Sequence, residues 1–177
     1  MIVKARDDRG LWRKALVAVP LIVIIGSIVG VVSNSGFGNN WYAPLEKPSF
    51  QPPGWAFGAV WTTLYTMMGI SLAAIANEPR SRQRSLALGL FAVQLALNFA
   101  WSPIFFGGGM IDVGFLVILA MNVLVTMTII AFWKIRPLAG ALLIPYLAWL
   151  CIATALNHET GRLNPGADTA PLGITGA

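Results

Sequence analysis

Five stretches of about twenty residues, none with an acid or base in its interior, constrain this chain more than any other feature: 15–33, 54–76, 85–106, 113–133 and 138–156. Each is long enough to cross the roughly 30 Å of bilayer hydrocarbon as an α-helix. Composition agrees, since only 11% of the residues are charged and 56% are hydrophobic, against roughly 25% charged in an ordinary soluble domain. The expected fold class is all-α, an integral membrane bundle of five transmembrane helices.

The first stretch follows Arg13 and Lys14 and precedes small residues, as a secretory signal would. Its apolar run exceeds the roughly 7 to 15 residues of a signal core, so it reads as a retained helix. The longest connection, 34–53, is too short for a separate domain. The organisation predicted is a basic, cytoplasmic N-terminus over 1–14, one membrane domain over 15–162, and a small, polar tail over 163–177 with little to anchor it, expected to be disordered.

A net charge of +5 could suggest nucleic acid, but the positions of the bases say otherwise. Lys4, Arg6, Arg9, Arg13 and Lys14 precede helix 1, Arg80, Arg82 and Arg84 lie between helices 2 and 3, and Lys134 and Arg136 lie between helices 4 and 5. All ten fall on one side, and only Lys47 and Arg162 on the other. The positive-inside rule therefore places the N-terminus inside, with a bacterial plasma membrane fitting better than an outer membrane. The basic balance is topological, with attraction to lipid headgroups as a secondary effect, and no nucleic-acid partner is needed.

In the first loop, a flexible run over 33–40 is followed by four prolines in ten residues, Pro44, Pro48, Pro52 and Pro53. These fix φ and push each preceding residue toward extended geometry, so the second half is stiff. Trp41, Tyr42 and Trp55 flank it. Two readings stand: a lid across the bundle mouth, or a rigid connector with an interfacial aromatic belt. Gly107, Gly108 and Gly109 supply the turn between helices 3 and 4, and Pro103 and Pro145 should bend their spans.

Helical phase sorts the faces. Gln94, Asn98, Trp101 and Phe105 fall within about 60° of one another, and Gly89, Ala92, Ala96 and Ala100 form a small-residue stripe about 170° away. The small stripe suits close approach of a helix, including one from a second subunit, while amides in hydrocarbon require protein partners. Trp61, Tyr65, Met68 and Leu72 share a face of helix 2, and Tyr146, Trp149, Ala153 and Asn157 share a face of helix 5. Three helices thus offer aromatic, amide-bearing faces that could line a cavity, although any one Trp could equally pack the interior or anchor at the interface. Gly26 and Gly30 place a GxxxG on helix 1, ordinarily a packing device.

The chain's only Cys, Cys151, lies inside an apolar helix and reads as a small buried residue. His158, beside Glu159, is a lone helix-end histidine and cannot build a metal cluster. Asp112 stands at the start of helix 4, where it favours the helix N-terminus. No phosphate loop and no nucleophile–base pair is present, so hydrolytic and phosphoryl-transfer chemistry are not expected.

Three ordered motifs resemble one family. The run WYAPLEKPSFQPPGWAFGAVWTTLY (41–65), QLALNFAWSPIFFG (94–107) and LLIPYLAWLCIATALN (142–157) are similar to those of the translocator proteins, also called tryptophan-rich sensory proteins or peripheral benzodiazepine receptors. The resemblance covers about 41–162. It implies a five-helix bundle, often a homodimer, that binds porphyrins such as protoporphyrin IX and haem, and sterols in some members, beneath a first-loop lid. By motif position it carries over Trp41, Trp61, Asn98, Trp101, Trp149 and Ala153 as pocket lining, to which phase adds Tyr65, Gln94 and Tyr146. In some bacterial members the residues at Trp61 and Trp149 are linked to light-dependent porphyrin breakdown.

Two departures stand out. Phe50 replaces the family's usual Trp, and His158 occupies the Tyr position of the proposed cholesterol motif, which favours porphyrin over sterol. Three functions are expected to compete: a tetrapyrrole receptor or carrier with no required cofactor, a porphyrin photo-oxidising enzyme, and a non-catalytic scaffold.

Overall fold

The computed structural model describes residues 8–177, and Lys4 and Arg6, counted above toward orientation, lie outside them. The described residues form helices α1 (Asp8–Val32), α2 (Gly54–Ala76), α3 (Arg82–Ser102), α4 (Ile111–Ile135), a short α5 (Pro137–Ala141) and α6 (Ile144–Leu163). Five helical units are long and apolar enough to span a membrane, with α5 and α6 together forming the fifth. The chain is therefore an all-helical, multi-pass membrane protein. Going round the bundle, the order is α1, α2, α5/α6, α4, α3.

The two prolines act where the freed carbonyls predict. At Pro103, α3 widens into a π turn over Pro103–Gly107, closed by the Gly108 amide donating to the Pro103 carbonyl at 2.8 Å. Pro145 cannot donate to the helix before it, so the fifth span breaks at Leu142 and Leu143 and restarts as α6. On α2, Ser71 is fully buried and its hydroxyl donates to the Ala139 carbonyl at 2.7 Å, tying α2 to α5 just before that break.

At the basic end, cations close the α2 C-terminus. Lys14 Nζ donates to the Ala76 carbonyl at 3.0 Å and Arg84 Nη2 to the same carbonyl at 2.9 Å, satisfying an orphan acceptor at the negative end of the helix dipole. Arg136 lies 3.7 Å from Glu78.

Trp12, Trp55 and Trp133 are exposed, in keeping with interfacial anchoring. The small-residue stripe lies on the outer face of α3, with Gly89, Ala92 and Ala96 exposed and Ala100 half-buried. Of the α1 glycines, Gly26 receives the Tyr65 ring, which a Cβ would meet at 2.2 Å, whereas a Cβ added at Gly30 would meet nothing within 4 Å. The GxxxG is thus a socket for one aromatic ring.

Two sequence expectations are corrected. Cys151 is exposed on the outer face of α6, its thiol turned to Asn122 Oδ1 at 3.6 Å, because α6 buries its Tyr146 face instead. The tail beyond α6 is ordered: Thr169 N donates to the Gly109 carbonyl at 3.1 Å, and Asp168 and Thr175 are buried. Asp112 supplies the anchor that composition did not reveal.

Candidate functional site

The α6 helix packs closely along α4, while its backbone stands off from α2 and α3. Side chains fill the space between them. Trp61 contacts Tyr65 (ring centroids 5.2 Å), Tyr146 (6.3 Å) and Trp149 (6.5 Å), and Phe57 meets Trp149 edge to face at 5.7 Å. At the centre, Tyr65 donates its hydroxyl to Asn98 Oδ1 at 2.9 Å, and Asn98 Nδ2 donates to the Tyr146 hydroxyl at 3.0 Å. The Tyr146 hydroxyl in turn faces Met121 Sδ at 3.7 Å. One amide thus cross-links α2, α3 and α6 and fixes the orientation of both phenols. A groove of about 250 Å³ runs beside this cluster, lined by Ala59, Val60, Thr63, Leu64 and Met67 of α2 and by Pro145.

A second aromatic group lies toward the loop end. Trp101 stacks on Phe105 at 4.9 Å and 13°, and Trp41 and Tyr42 approach Phe105 edge-on at 5.5 and 5.9 Å. Trp101 packs against both groups and so joins them.

The first loop lies over this end of the bundle. Asn39 Oδ1 accepts from the Trp41 and Tyr42 amides, and Asn39 Nδ2 donates to the Phe106 carbonyl at 3.0 Å. Tyr42 is buried, its hydroxyl donates to Gln51 Oε1, and Lys47 Nζ sits 4.2 Å above its ring. Burial raises the Tyr42 phenol pKa. The loop thus packs across this end of the bundle, with Trp55 exposed beside it, an arrangement that both readings of the loop accommodate.

The tail forms a strap over that loop. Trp41 Nε1 donates to the Ala167 carbonyl at 3.1 Å, and the Trp41 ring lies against Gly109, which adopts φ +67° where a Cβ would stand 3.0 Å from it. Asp112 is fully buried. Its carboxylate accepts from the amides of Leu172, Ile174 and Thr175 and from the Thr175 hydroxyl. Asp168 accepts from the Asp112 amide at 2.7 Å. Asp112 stands in the first turn of α4, where the sequence reading put it, and it has a second role that reading did not include: it holds the strap, while Asp168 takes the α4 N-terminal amide.

Of the residues singled out from sequence, the structure brings Trp61, Tyr65, Asn98, Tyr146 and Trp149 into one cluster, with Ala153 half-buried against the same core. Trp41 and Trp101 belong to the adjoining lid group. Gln94 is fully buried, and neither of its amide atoms has a hydrogen-bond partner. Phe57 was missed, although it precedes Trp61 by four residues and so shares its helix face. Among the described residues, no group of three His, Cys, Asp or Glu could hold a metal ion.

Comparison with known proteins agrees with this architecture. A sequence model of the TspO/MBR family matches residues 17–163. The chain is 41% identical over 144 residues to the human translocator protein, covering 80% of this chain and 85% of that one. It is 41% identical over 127 residues to protein CrtK of Rhodobacter capsulatus, covering 71% of this chain and 79% of the relative. It is 40% identical over 126 residues to the tryptophan-rich sensory protein of Cereibacter sphaeroides, covering 71% and 78%.

Proposed function

The chain belongs to the TspO/MBR family, and from that premise we propose that it is a membrane receptor or carrier for a flat tetrapyrrole, protoporphyrin IX or haem. The observation that carries this reading is the convergence of Trp61, Tyr65, Tyr146 and Trp149 from two helices around the single amide of Asn98. A flat apolar macrocycle gains buried area and stacking against such rings, while one fixed polar group orients it. The lid and strap cover the loop end of this aromatic core. The tetrapyrrole is the ligand, and no resident cofactor is required. His158 in place of the cholesterol-motif Tyr weighs against sterol.

The basic end, with Lys14 and Arg84 at the α2 terminus, faces inward across a bacterial plasma membrane, so the lid and strap lie outside. The exposed Gly89, Ala92 and Ala96 face of α3 receives a second copy of the chain.

The test is a titration of protoporphyrin IX against the purified protein in detergent, followed by tryptophan quenching. Saturable binding that weakens in Trp61→Phe with Trp149→Phe supports the reading; no saturable binding, or binding indifferent to both substitutions, sinks it. The scaffold alternative instead expects no small-molecule affinity, with oligomers lost in Ala96→Leu.

A second reading uses the same site. The contact between the Trp61 and Trp149 indoles favours their taking part, with light and dioxygen supplied, in oxidative breakdown of the bound porphyrin. Illumination should then yield a discrete product, and unchanged spectra reject this reading while leaving binding intact.

A further inference from the structure

Asn157, on the aromatic face of α6, is 3% exposed, and neither its Nδ2 nor its Oδ1 has a hydrogen-bond partner. Trp101 Nε1, on α3, is likewise buried and unpartnered. Both nitrogens meet α4 at one place. A Cβ built on Gly114 would stand 3.3 Å from Asn157 Nδ2, 3.4 Å from Trp101 Nε1 and 3.2 Å from the Phe105 ring. The glycine lets two N–H donors from different helices come together against α4, and the protein supplies an acceptor to neither. Buried amides and indole N–H groups nearly always have partners, so this convergence calls for an acceptor brought from outside the chain.

We infer that Asn157 Nδ2 and Trp101 Nε1 form a paired-donor subsite for a carboxylate oxygen of the bound ligand, with Gly114 allowing both nitrogens their close approach to α4. The inference rests on the tetrapyrrole reading above and deepens it. A carboxylate has lone pairs enough for both donors, and an ionised acceptor makes the stronger hydrogen bond. Position fits as well. Trp101 packs against the Trp61–Trp149 core on one side and the lid residues on the other. The subsite therefore lies at the rim of the ring-binding core, where an acidic edge substituent of a flat macrocycle comes to rest.

The test compares mesoporphyrin IX with its dimethyl ester on the full chain in detergent, for wild type, Asn157→Leu and Gly114→Ala. Wild type should prefer the diacid. Asn157→Leu should lose about tenfold or more of diacid affinity, with a smaller effect on the diester, so that the diacid-to-diester ratio falls. Its melting temperature should not drop, because the change removes an unpartnered buried amide. Gly114→Ala, whose Cβ presses on both nitrogens and on the Phe105 ring, should lower the same ratio and decides the question alone should Asn157→Leu fail to fold. Unchanged ratios in folded variants that still bind porphyrin overturn the subsite and leave the tetrapyrrole reading standing. Failure of wild type to bind either porphyrin overturns both.

Discussion

Trp61 on α2 and Trp149 on α6 meet edge to face, their ring planes at 86° and their centroids 6.5 Å apart. The contact bridges two helices whose backbones stand apart, so the indoles serve both as packing and as the walls of the proposed site. Replacing either with Phe keeps an aromatic ring but removes part of the stacking, worth about 0.5–1.5 kcal/mol for such a pair. Each single substitution should weaken porphyrin binding severalfold. Because the rings touch, the double variant should lose less or more than the sum of the two, and fluorescence titration of all four proteins measures that coupling.

The central amide should matter more to stability than any single ring. Asn98→Leu leaves the Tyr65 and Tyr146 hydroxyls without their shared partner inside the bundle. An orphaned buried hydroxyl costs about 1–3 kcal/mol, so the variant should melt well below wild type. Gln94→Leu, one turn away on the same helix, should do the reverse. Both Gln94 amide atoms are already unpartnered, so an apolar side chain of similar size should raise the melting temperature. Thermal unfolding of the two variants in the same detergent tests this opposition of sign.

Much of this core was readable from helical phase. Gln94, Asn98, Trp101 and Phe105 recur on one face at helical spacing, and so do Trp61 with Tyr65 and Tyr146 with Trp149, because amides and aromatics seldom collect on a face turned to lipid. Phase could not show that Trp101 joins the lid group, since that depends on the π turn at Pro103 re-aiming Phe105 and Phe106. Nor could it show what Asp112 does. Its four donors come from residues about sixty positions away, in a segment whose composition resembles a disordered end. Local pattern carries no trace of so distant a pairing.

Gly109 should tolerate substitution poorly. Its φ of +67° disfavours any L side chain, and an added Cβ would press on the Trp41 indole and the Thr169 methyl at 3.0 Å. Gly109→Ala should destabilise by about 1 kcal/mol from the backbone alone, and by more as the lid is displaced. Increased solvent exposure of Trp41, read by acrylamide quenching in a background where other tryptophans are replaced by Phe, checks the displacement.

The strap offers the sharpest separation between folding and local order. The Asp112 carboxylate accepts from three backbone amides and one hydroxyl, and Asp168 covers the first turn of α4. Asn at position 112 keeps one acceptor oxygen and turns an NH₂ group toward donors that have no other partner. Hydrogen bonds to a charged group contribute about 1.5–3 kcal/mol each in favourable cases, so the loss exceeds what an unanchored tail can absorb. Asp112→Asn should therefore release the strap while α1–α6 remain folded. Hydrogen exchange should accelerate at Leu172, Ile174 and Thr175 and leave the α4–α6 core unchanged. With the Ala167 carbonyl withdrawn from Trp41 Nε1, the lid should also loosen, and ligand association and dissociation should both speed up. Unchanged exchange at those three amides would show that Asp112 does not hold the strap.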